Sequence, residues 1–204
     1  MSNRQYIAIF ASGSGTNAEK IMERFQQHPY IKVALVVTNN PQAGVIERAA
    51  HFEVPVEVLE KGALARLGVV LALLKKYAID WIVLAGFMRK IPPELIAAFP
   101  DRILNIHPAL LPAYGGQGMY GMHVHRTVVE AGETCTGISI HHVNEHYDEG
   151  RMILQVSCPV YPDDTAETVA DRVHQLEHQY YPEVVEEVVL GGETNNHSHA
   201  LTNT

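Results

Sequence analysis

Runs of apolar residues alternate along this chain with stretches of helical spacing. Residues 6–10, 33–37 and 82–84 are continuous apolar runs of buried-strand length, and 54–59 is a further one. Between them 17–27, 44–52 and 64–77 have the spacing or composition of helices. The run 102–104 then leads Asn105 and His107 out of a buried strand in LNIHPALLP. Beyond it the pattern loosens into ALLPAYGGQGMYGMHVH, rich in Gly and Pro, before a helix expected from about 126 to 130. Residues 137–143 and 152–160 read as a strand pair joined by NEHYDEGR, and 165–189 as a long closing helix with a kink at Pro182. The tail GGETNNHSHALTNT has no apolar period and is expected to be disordered. Strands alternating with helices in this way predict an α/β chain, with a mostly parallel sheet of about seven strands and helices on both faces. One domain over 1–190 followed by a tail at 191–204 is the expected organisation.

The length of 204 residues suits one full-sized core. A formal net charge of -8, with no stretch that concentrates Lys and Arg, argues against a nucleic-acid or anionic-membrane surface. An anionic substrate would therefore have to be held by local backbone donors. Cys135 and Cys158 have no metal-ligand spacing and read as ordinary strand or core thiols, which suits a reducing cytoplasm. The N-terminal MSNRQYIAIFASGSG has too short an apolar stretch for a signal peptide or membrane span, so export is not expected.

The segment Ser12-Gly13-Ser14-Gly15-Thr16-Asn17 lies between the first strand and the first helix. Glycines let backbone approach a ligand closely, and free amides at a helix N-terminus aim partial positive charge at an anion. A phosphate suits that geometry, and a plain turn in which Thr16 or Asn17 caps the helix suits the same residues. With Ala18 they also satisfy the G-x-G-x-x-G/A dinucleotide pattern. That pattern expects an acidic residue at the end of the second strand, and Thr38-Asn39-Asn40 stands there instead, which favours a phosphate monoester.

Asn105 and His107 are two apart on an extended segment, so both side chains can point at one ligand atom. An Asn amide donates hydrogen bonds, and a protonated His donates and then passes its proton on, as an oxyanion hole with a general acid requires. Asp148, in HYDEG, is the carboxylate expected to hold His107 charged near neutral pH. From these residues alone, plain satisfaction of a strand end by Asn105 and His107 is the commoner case, and a turn role for Asp148 before Gly150 is open too.

Six motifs in order change the weighting: GSGTN at 13–17, VLAGFMR at 83–89, ILNIHPALLP at 103–112, GISIHHV at 137–143, DEG at 148–150 and RVHQLEHQYYP at 172–182. In these the chain resembles the folate-dependent phosphoribosylglycinamide formyltransferase family, from about residue 7 to 188. The resemblance implies a Rossmann-like formyltransferase fold. It also implies transfer of the formyl group of 10-formyltetrahydrofolate to the amine of glycinamide ribonucleotide. The products would be N-formylglycinamide ribonucleotide and tetrahydrofolate, in de novo purine (IMP) biosynthesis. On matching positions it gives the substrate phosphate to Gly15, Thr16 and Asn17, and the ribose hydroxyls to Glu177. The folate goes to Met88, Arg89, Lys90, Ile91, Asn105 and Val143, with the segment onward to Asp148. Asn105, His107 and Asp148 match the catalytic trio. No metal is implied, the partners are small molecules rather than nucleic acid or membrane, and the state is a monomer or homodimer.

Two departures stand out. The family usually carries an Arg in an SREAYD-like stretch that reaches the folate tail, whereas KGALARLGVV has Ala63 at the aligned place and Arg66 nearby. The loop GGQGMYGMHVH is longer than the shorter bacterial form and is a candidate lid. His123 and His125 offer a possible metal pair, while His141 and His142, adjacent on a strand, must face opposite sides, with His141 toward the pocket. Three other functions compete. A 10-formyltetrahydrofolate hydrolase would run the same chemistry on water, but its relatives carry an N-terminal regulatory domain that is not expected before Tyr6. A methionyl-tRNA formyltransferase would need a C-terminal RNA-binding domain and a basic face. A non-catalytic phosphosugar-binding module of the same fold would keep the binding groups and turn nothing over.

Overall fold

Ile7, Ala8, Ile9 and Phe10 are all fully buried, so the first strand, β1 (Gln5–Phe10), is covered on both faces, as a central parallel strand must be. A computed structural model describes residues 4–191, and the expectation for the tail from 192 onward lies outside them. After β1 come α1 (Thr16–Phe25), β2 (Ile31–Thr38), α2 (Val45–His51), β3 (Val56–Val58), α3 (Leu67–Lys76), β4 (Trp81–Leu84) and α4 (Pro93–Ala98). The chain continues through β5 (Ile103–His107), α5 (Met122–Glu130), β6 (Cys135–His142), β7 (Met152–Pro159) and α6 (Ala166–Val189). The seven strands form one sheet in the order β3-β2-β1-β4-β5-β6-β7. β3, β2, β1, β4 and β5 run parallel, and β6 and β7 are antiparallel additions.

Two apolar cores result, one on each face. Ile7, Ile9 and Val36 pack against α1, α2 and α6 through Ile21, Ala49 and Val185. Ala8, Phe10 and Leu35 pack against α3 and α4 through Val70, Leu74 and Leu95. The alternation of these residues along each strand reflects the two-residue repeat of extended chain. The α/β arrangement with helices on both faces is the one expected from the sequence. Several boundaries differ. β3 is shorter than the run 54–59, and α4, which opens on Pro93 directly after Pro92 and spans six residues, was not anticipated. α5 begins at Met122 rather than near 126. α6 runs through Pro182 without interruption and starts at a reciprocal cap, in which the Thr165 and Thr168 hydroxyls each accept the other's backbone N–H at 3.3 and 3.0 Å.

The earlier start of α5 revises the reading of His123 and His125. Two residues apart on a helix are about 200° apart around its axis, and here His123 is exposed while His125 is 2% exposed. The pair cannot grip one ion. His125 packs instead against α6, its ring edge-on to His174 at 6.2 Å.

Tyr181 ties α6 to the sheet. It is fully buried, and its hydroxyl donates to the carbonyl oxygens of Leu84 at 2.8 Å and Leu104 at 3.3 Å, on two neighbouring parallel strands. Tyr181→Phe leaves those acceptors without this donor, and urea unfolding should show a loss of about 1–3 kcal/mol. A change of a few tenths would mean that the bond is not needed.

Burial, together with the neighbouring His174 and His107 rings, pushes His125 down from the ordinary 6.5 to about 4. Its folded-state value is depressed, so the associated stability is fully present above pH 6.5 and is lost as pH falls from 6.5 toward 4. The loss should amount to about 3 kcal/mol at most. His125→Gln should narrow the difference between unfolding free energies measured at pH 7.5 and 4.5, and an unchanged difference would assign the acid sensitivity elsewhere.

Candidate active site

β1 pairs in parallel with both β2 and β4, so the chain leaves it for opposite faces and a crevice opens beyond the C-terminal ends of β1 and β4. A cavity of about 580 Å³ fills that crevice. Gly15, Thr16, Asn17, Met88, Arg89, Lys90, Ile91, Asn105, His107, Val143, Asp148 and Glu177 all line it. The structure therefore brings together every residue expected to act on the phosphate, the ribose, the folate or the transferred group. Arg66 is not in the wall, and its guanidinium pairs with Glu60 at 3.0 Å on the surface.

One end is built on the turn after β1. The Ser12 hydroxyl donates to Asn39 Oδ1 at 2.5 Å and accepts the Met88 N–H at 2.9 Å. The asparagines at the end of β2 thus brace the loop. Gly15 precedes α1 with φ 79°, and a Cβ there would lie 2.5 Å from Val45 Cβ, so only glycine fits. No side chain caps α1, which corrects the alternative that Thr16 or Asn17 does so. Asn17 Nδ2 donates instead to Glu177 Oε2 at 2.8 Å, while Asn17 Oδ1 is buried without a partner. The first-turn amides of α1 are left without a side-chain acceptor and present partial positive charge to the cavity. Burial pushes the Glu177 carboxyl up, against the pull of Asn17 and His174.

The other end is built on β5 and the loops facing it. Asn105 and His107 lie on one side of the strand, and Asp148 reaches them from a left-handed turn residue, φ 58°. Asp148 Oδ1 lies 3.5 Å from Asn105 Nδ2 and 3.6 Å from His141 Nε2. Its Oδ2 accepts the Gly116 N–H at 2.9 Å and lies 3.6 Å from His107 Nδ1. His107 Nε2 sits 2.7 Å from the Tyr114 carbonyl oxygen. A carbonyl only accepts, so Nε2 carries the proton of the neutral ring, and Nδ1 faces Asp148. Burial pushes His107 below its ordinary range; Asp148 and the Tyr114 carbonyl oppose this without overcoming it. Asp148 does favour the charged imidazole, as expected, but burial outweighs it, which corrects the expectation that the ring is held charged near neutral pH. For Asp148 burial acts upward, but the His141 contact, His107 and the Gly116 N–H outweigh it and hold the carboxyl below its ordinary value.

His141 pairs with Asn105 across the β5–β6 ladder, its Nε2 3.2 Å from Asn105 Nδ2 and its Nδ1 2.8 Å from the His142 carbonyl oxygen. His142 turns away to Arg151 Nη2 at 2.8 Å, so the adjacent histidines face opposite sides, as expected. Sequence reasoning missed the Tyr114 carbonyl and the Gly116 N–H, because backbone groups leave no residue signature. It also missed His125 and His174 as wall residues. For His174 a signal existed, since HQLEH places it one helical turn before Glu177. Between the two ends, Met88, Ile91 and Val143 supply apolar wall, and Lys90 Nζ lies 5.2 Å from the centre of the Tyr147 ring. Among the described residues no cluster of three or more His, Cys, Asp or Glu could hold a metal ion, and no helix is long and apolar enough to cross a membrane.

Known proteins resemble this chain in sequence and fold. The chain is 44% identical over 189 residues to the chloroplastic phosphoribosylglycinamide formyltransferase of Arabidopsis thaliana, covering 89% of this chain and 64% of that one. The match to the enzyme of that name from Bacillus subtilis is 37% identical over 187 residues, covering 89% and 93%. The chain thus spans less than two thirds of the plant relative's length and nearly all of the bacterial one's. Among solved structures, glycinamide ribonucleotide transformylase 1 from Geobacillus kaustophilus superimposes with a TM-score of 0.84 at 38% identity, covering 92% of this chain and 100% of that one. Residues 5–185, which hold both ends of the cavity, match the family described as Formyl transferase, and the chain belongs to that family.

Proposed function

We propose that this protein transfers the formyl group of 10-formyltetrahydrofolate to the amine of glycinamide ribonucleotide, the formylation step of de novo purine biosynthesis. The observation that carries the reading is the convergence of Asn105, His107 and Asp148, with separations of 3.5 and 3.6 Å, in one cavity with the uncapped Gly15–Asn17 turn. A phosphorylated amine bound by that turn extends toward the trio, and the names of the relatives agree with such a substrate. Gly15, Thr16 and Asn17 hold the phosphate and Glu177 the ribose hydroxyls. Met88, Arg89, Lys90, Ile91, Asn105 and Val143 hold the folate.

Attack of the amine on the formyl carbon turns the carbonyl oxygen into an oxyanion, and the Asn105 amide and His107 Nδ1 are the donors for it. The neutral ring carries its proton on Nε2, so Nδ1 becomes a donor only on taking up the proton that the attacking amine releases. Negative charge developing beside it adds to that of Asp148 and raises the proton affinity of Nδ1 when the donor is needed. The proton lost by the attacking amine balances the one gained by the leaving folate nitrogen, and His107 with Asp148 form the pair that carries it across. The chain works without a metal, as a single domain over 1–190, in the cytoplasm, as a monomer or homodimer.

Formation of deformylated folate, followed by absorbance with and without glycinamide ribonucleotide, tests the reading when combined with mass detection of the formylated nucleotide. Release should require the nucleotide; release without it would identify a hydrolase, and no release would leave a binding module. Asn105→Ala and His107→Ala should each slow transfer by a factor of about 100 or more, and wild-type rates in both variants would sink the mechanism.

A further inference from the structure

A row of polar side chains runs across the sheet from His107. The ladders set His107 of β5 opposite Ser139 of β6, and Ser139 opposite Gln155 of β7, so all three side chains project to one face. The chain that leaves β5 passes over that face. Ser139 is fully buried, and its hydroxyl is used to capacity: it donates to the Ala109 carbonyl oxygen at 2.7 Å and accepts from the Leu111 N–H at 2.9 Å and from Gln155 Nε2 at 2.8 Å. Gln155 Nε2 gives its other hydrogen to the Leu111 carbonyl oxygen at 2.8 Å. Both backbone polar groups of Leu111 are therefore tied to the sheet by side chains.

The tie continues to the trio by contact. A Cβ on Gly115 would lie 2.5 Å from Leu111 Cδ2, so the Leu111 side chain is packed directly on the Gly115 backbone. Gly115 stands between the two backbone groups that reach the trio: the Tyr114 carbonyl oxygen, 2.7 Å from His107 Nε2, and the Gly116 N–H, 2.9 Å from Asp148 Oδ2. Asp148 Oδ2, 3.6 Å from His107 Nδ1, draws a ring proton toward Nδ1, and only the Tyr114 carbonyl holds it at Nε2. Neither Ser139 nor Gln155 lines the cavity. Gln155 lies exposed on the edge strand, yet its amide nitrogen is turned inward with both hydrogens engaged.

We propose that Gln155 is a positioning residue for the transfer step: by fixing Leu111 it keeps the Tyr114 carbonyl on His107 Nε2 and leaves Nδ1 free to take the proton of the attacking amine. The proposal rests on the reading of Asn105, His107 and Asp148 as the formyl-transfer site. It gives a residue outside the cavity control over the tautomer of a residue inside it.

Gln155→Met keeps the side-chain length and removes the amide. Nitrogen-15 NMR of the His107 ring at pH 7.5, where burial keeps it neutral, should show the Nε2–H form in the wild type and a shift toward Nδ1–H in this variant. Its kcat for transfer should fall about tenfold, with little change in KM for either substrate. Gly115→Ala, whose methyl group displaces Leu111 from the other side, should move the tautomer in the same direction with Gln155 intact, and it decides the matter should Gln155→Met not fold. Ser157→Ala, on the same face of β7 opposite Gly137, should match the wild type in both readouts. A wild-type ring that is not in the Nε2–H form, an unchanged ring spectrum in folded Gln155→Met or in Gly115→Ala, a loss of rate carried by KM alone, or an equal effect of Ser157→Ala would each overturn the proposal. The ring spectrum is read without substrate. A tautomer shift in Gln155→Met, in a protein that fails to formylate glycinamide ribonucleotide, would keep Gln155 as the residue that positions His107 and remove the formyltransferase reading instead.

Discussion

β1 is hydrogen-bonded in parallel to both its neighbours, and the rest of the molecule follows from that constraint. Crossovers between parallel strands are right-handed, so the connection from β1 to β2 and the connections leading to β4 and β5 must cover opposite faces of the sheet. The turn after β1 and the loop after β4 diverge at their C-terminal ends, and the crevice between them cannot be closed by either. Whatever fills it must be a ligand or side chains from later in the chain. Those side chains come from β5, whose register with β4 sets Asn105 opposite Leu84, and from α6, which Tyr181 fastens to both strands. The addition of β6 in the antiparallel sense then brings His141 beside Asn105 rather than a turn length away.

Each end of the crevice holds a carboxylate, Asp148 half-buried and Glu177 buried, and the two are driven in opposite directions. Asp148 faces His107, His141 and the Gly116 N–H, and stays below its ordinary value in spite of burial. Glu177 has the Asn17 amide and is pushed up by burial. Two carboxylates kept apart in this way suit different tasks: a group that remains an anion can support a neighbouring imidazole, while one that resists ionisation can share hydrogen bonds with neutral hydroxyls. The roles proposed for Asp148 in proton handling and for Glu177 at the sugar agree with these opposite shifts.

The strands of the sheet were legible because their burial on both faces produces unbroken apolar runs, as at 6–10 and 33–37. The polar residues of the site were legible because NIH, DEG and GSGTN place chemistry at the ends of those runs. What escaped depends on the assembled molecule. α4 opens on Pro93 directly after Pro92 and is too short to establish a helical period. The beginning of α5 lies in a glycine-rich stretch whose composition suggests loop, although Val124, His125 and Val128 form its buried face. The capping alternative for Thr16 and Asn17 failed because Gly15 takes the cap position and both residues fall inside the first turn of α1. The protonation of His107 was misjudged as well. A neighbouring carboxylate can be proposed from sequence, but burial is a property of everything packed around the ring.

The loop from 113 to 121 contributes more than a wall. It provides the Tyr114 carbonyl to His107 Nε2 and the Gly116 N–H to Asp148 Oδ2, so two of its backbone groups bind the two partners of a single charge pair. The carbonyl stabilises the Nε2–H form and thereby leaves Nδ1 as the nitrogen that faces both the carboxylate and the cavity. The amide favours the ionised form of Asp148, which in turn favours a proton on Nδ1. A shift of the loop that lengthened both bonds would release the tautomer of His107 and weaken the support from Asp148 together. Loop position and the acid–base state of the site are therefore one variable, and a longer loop can be accommodated here only if these two backbone contacts are kept.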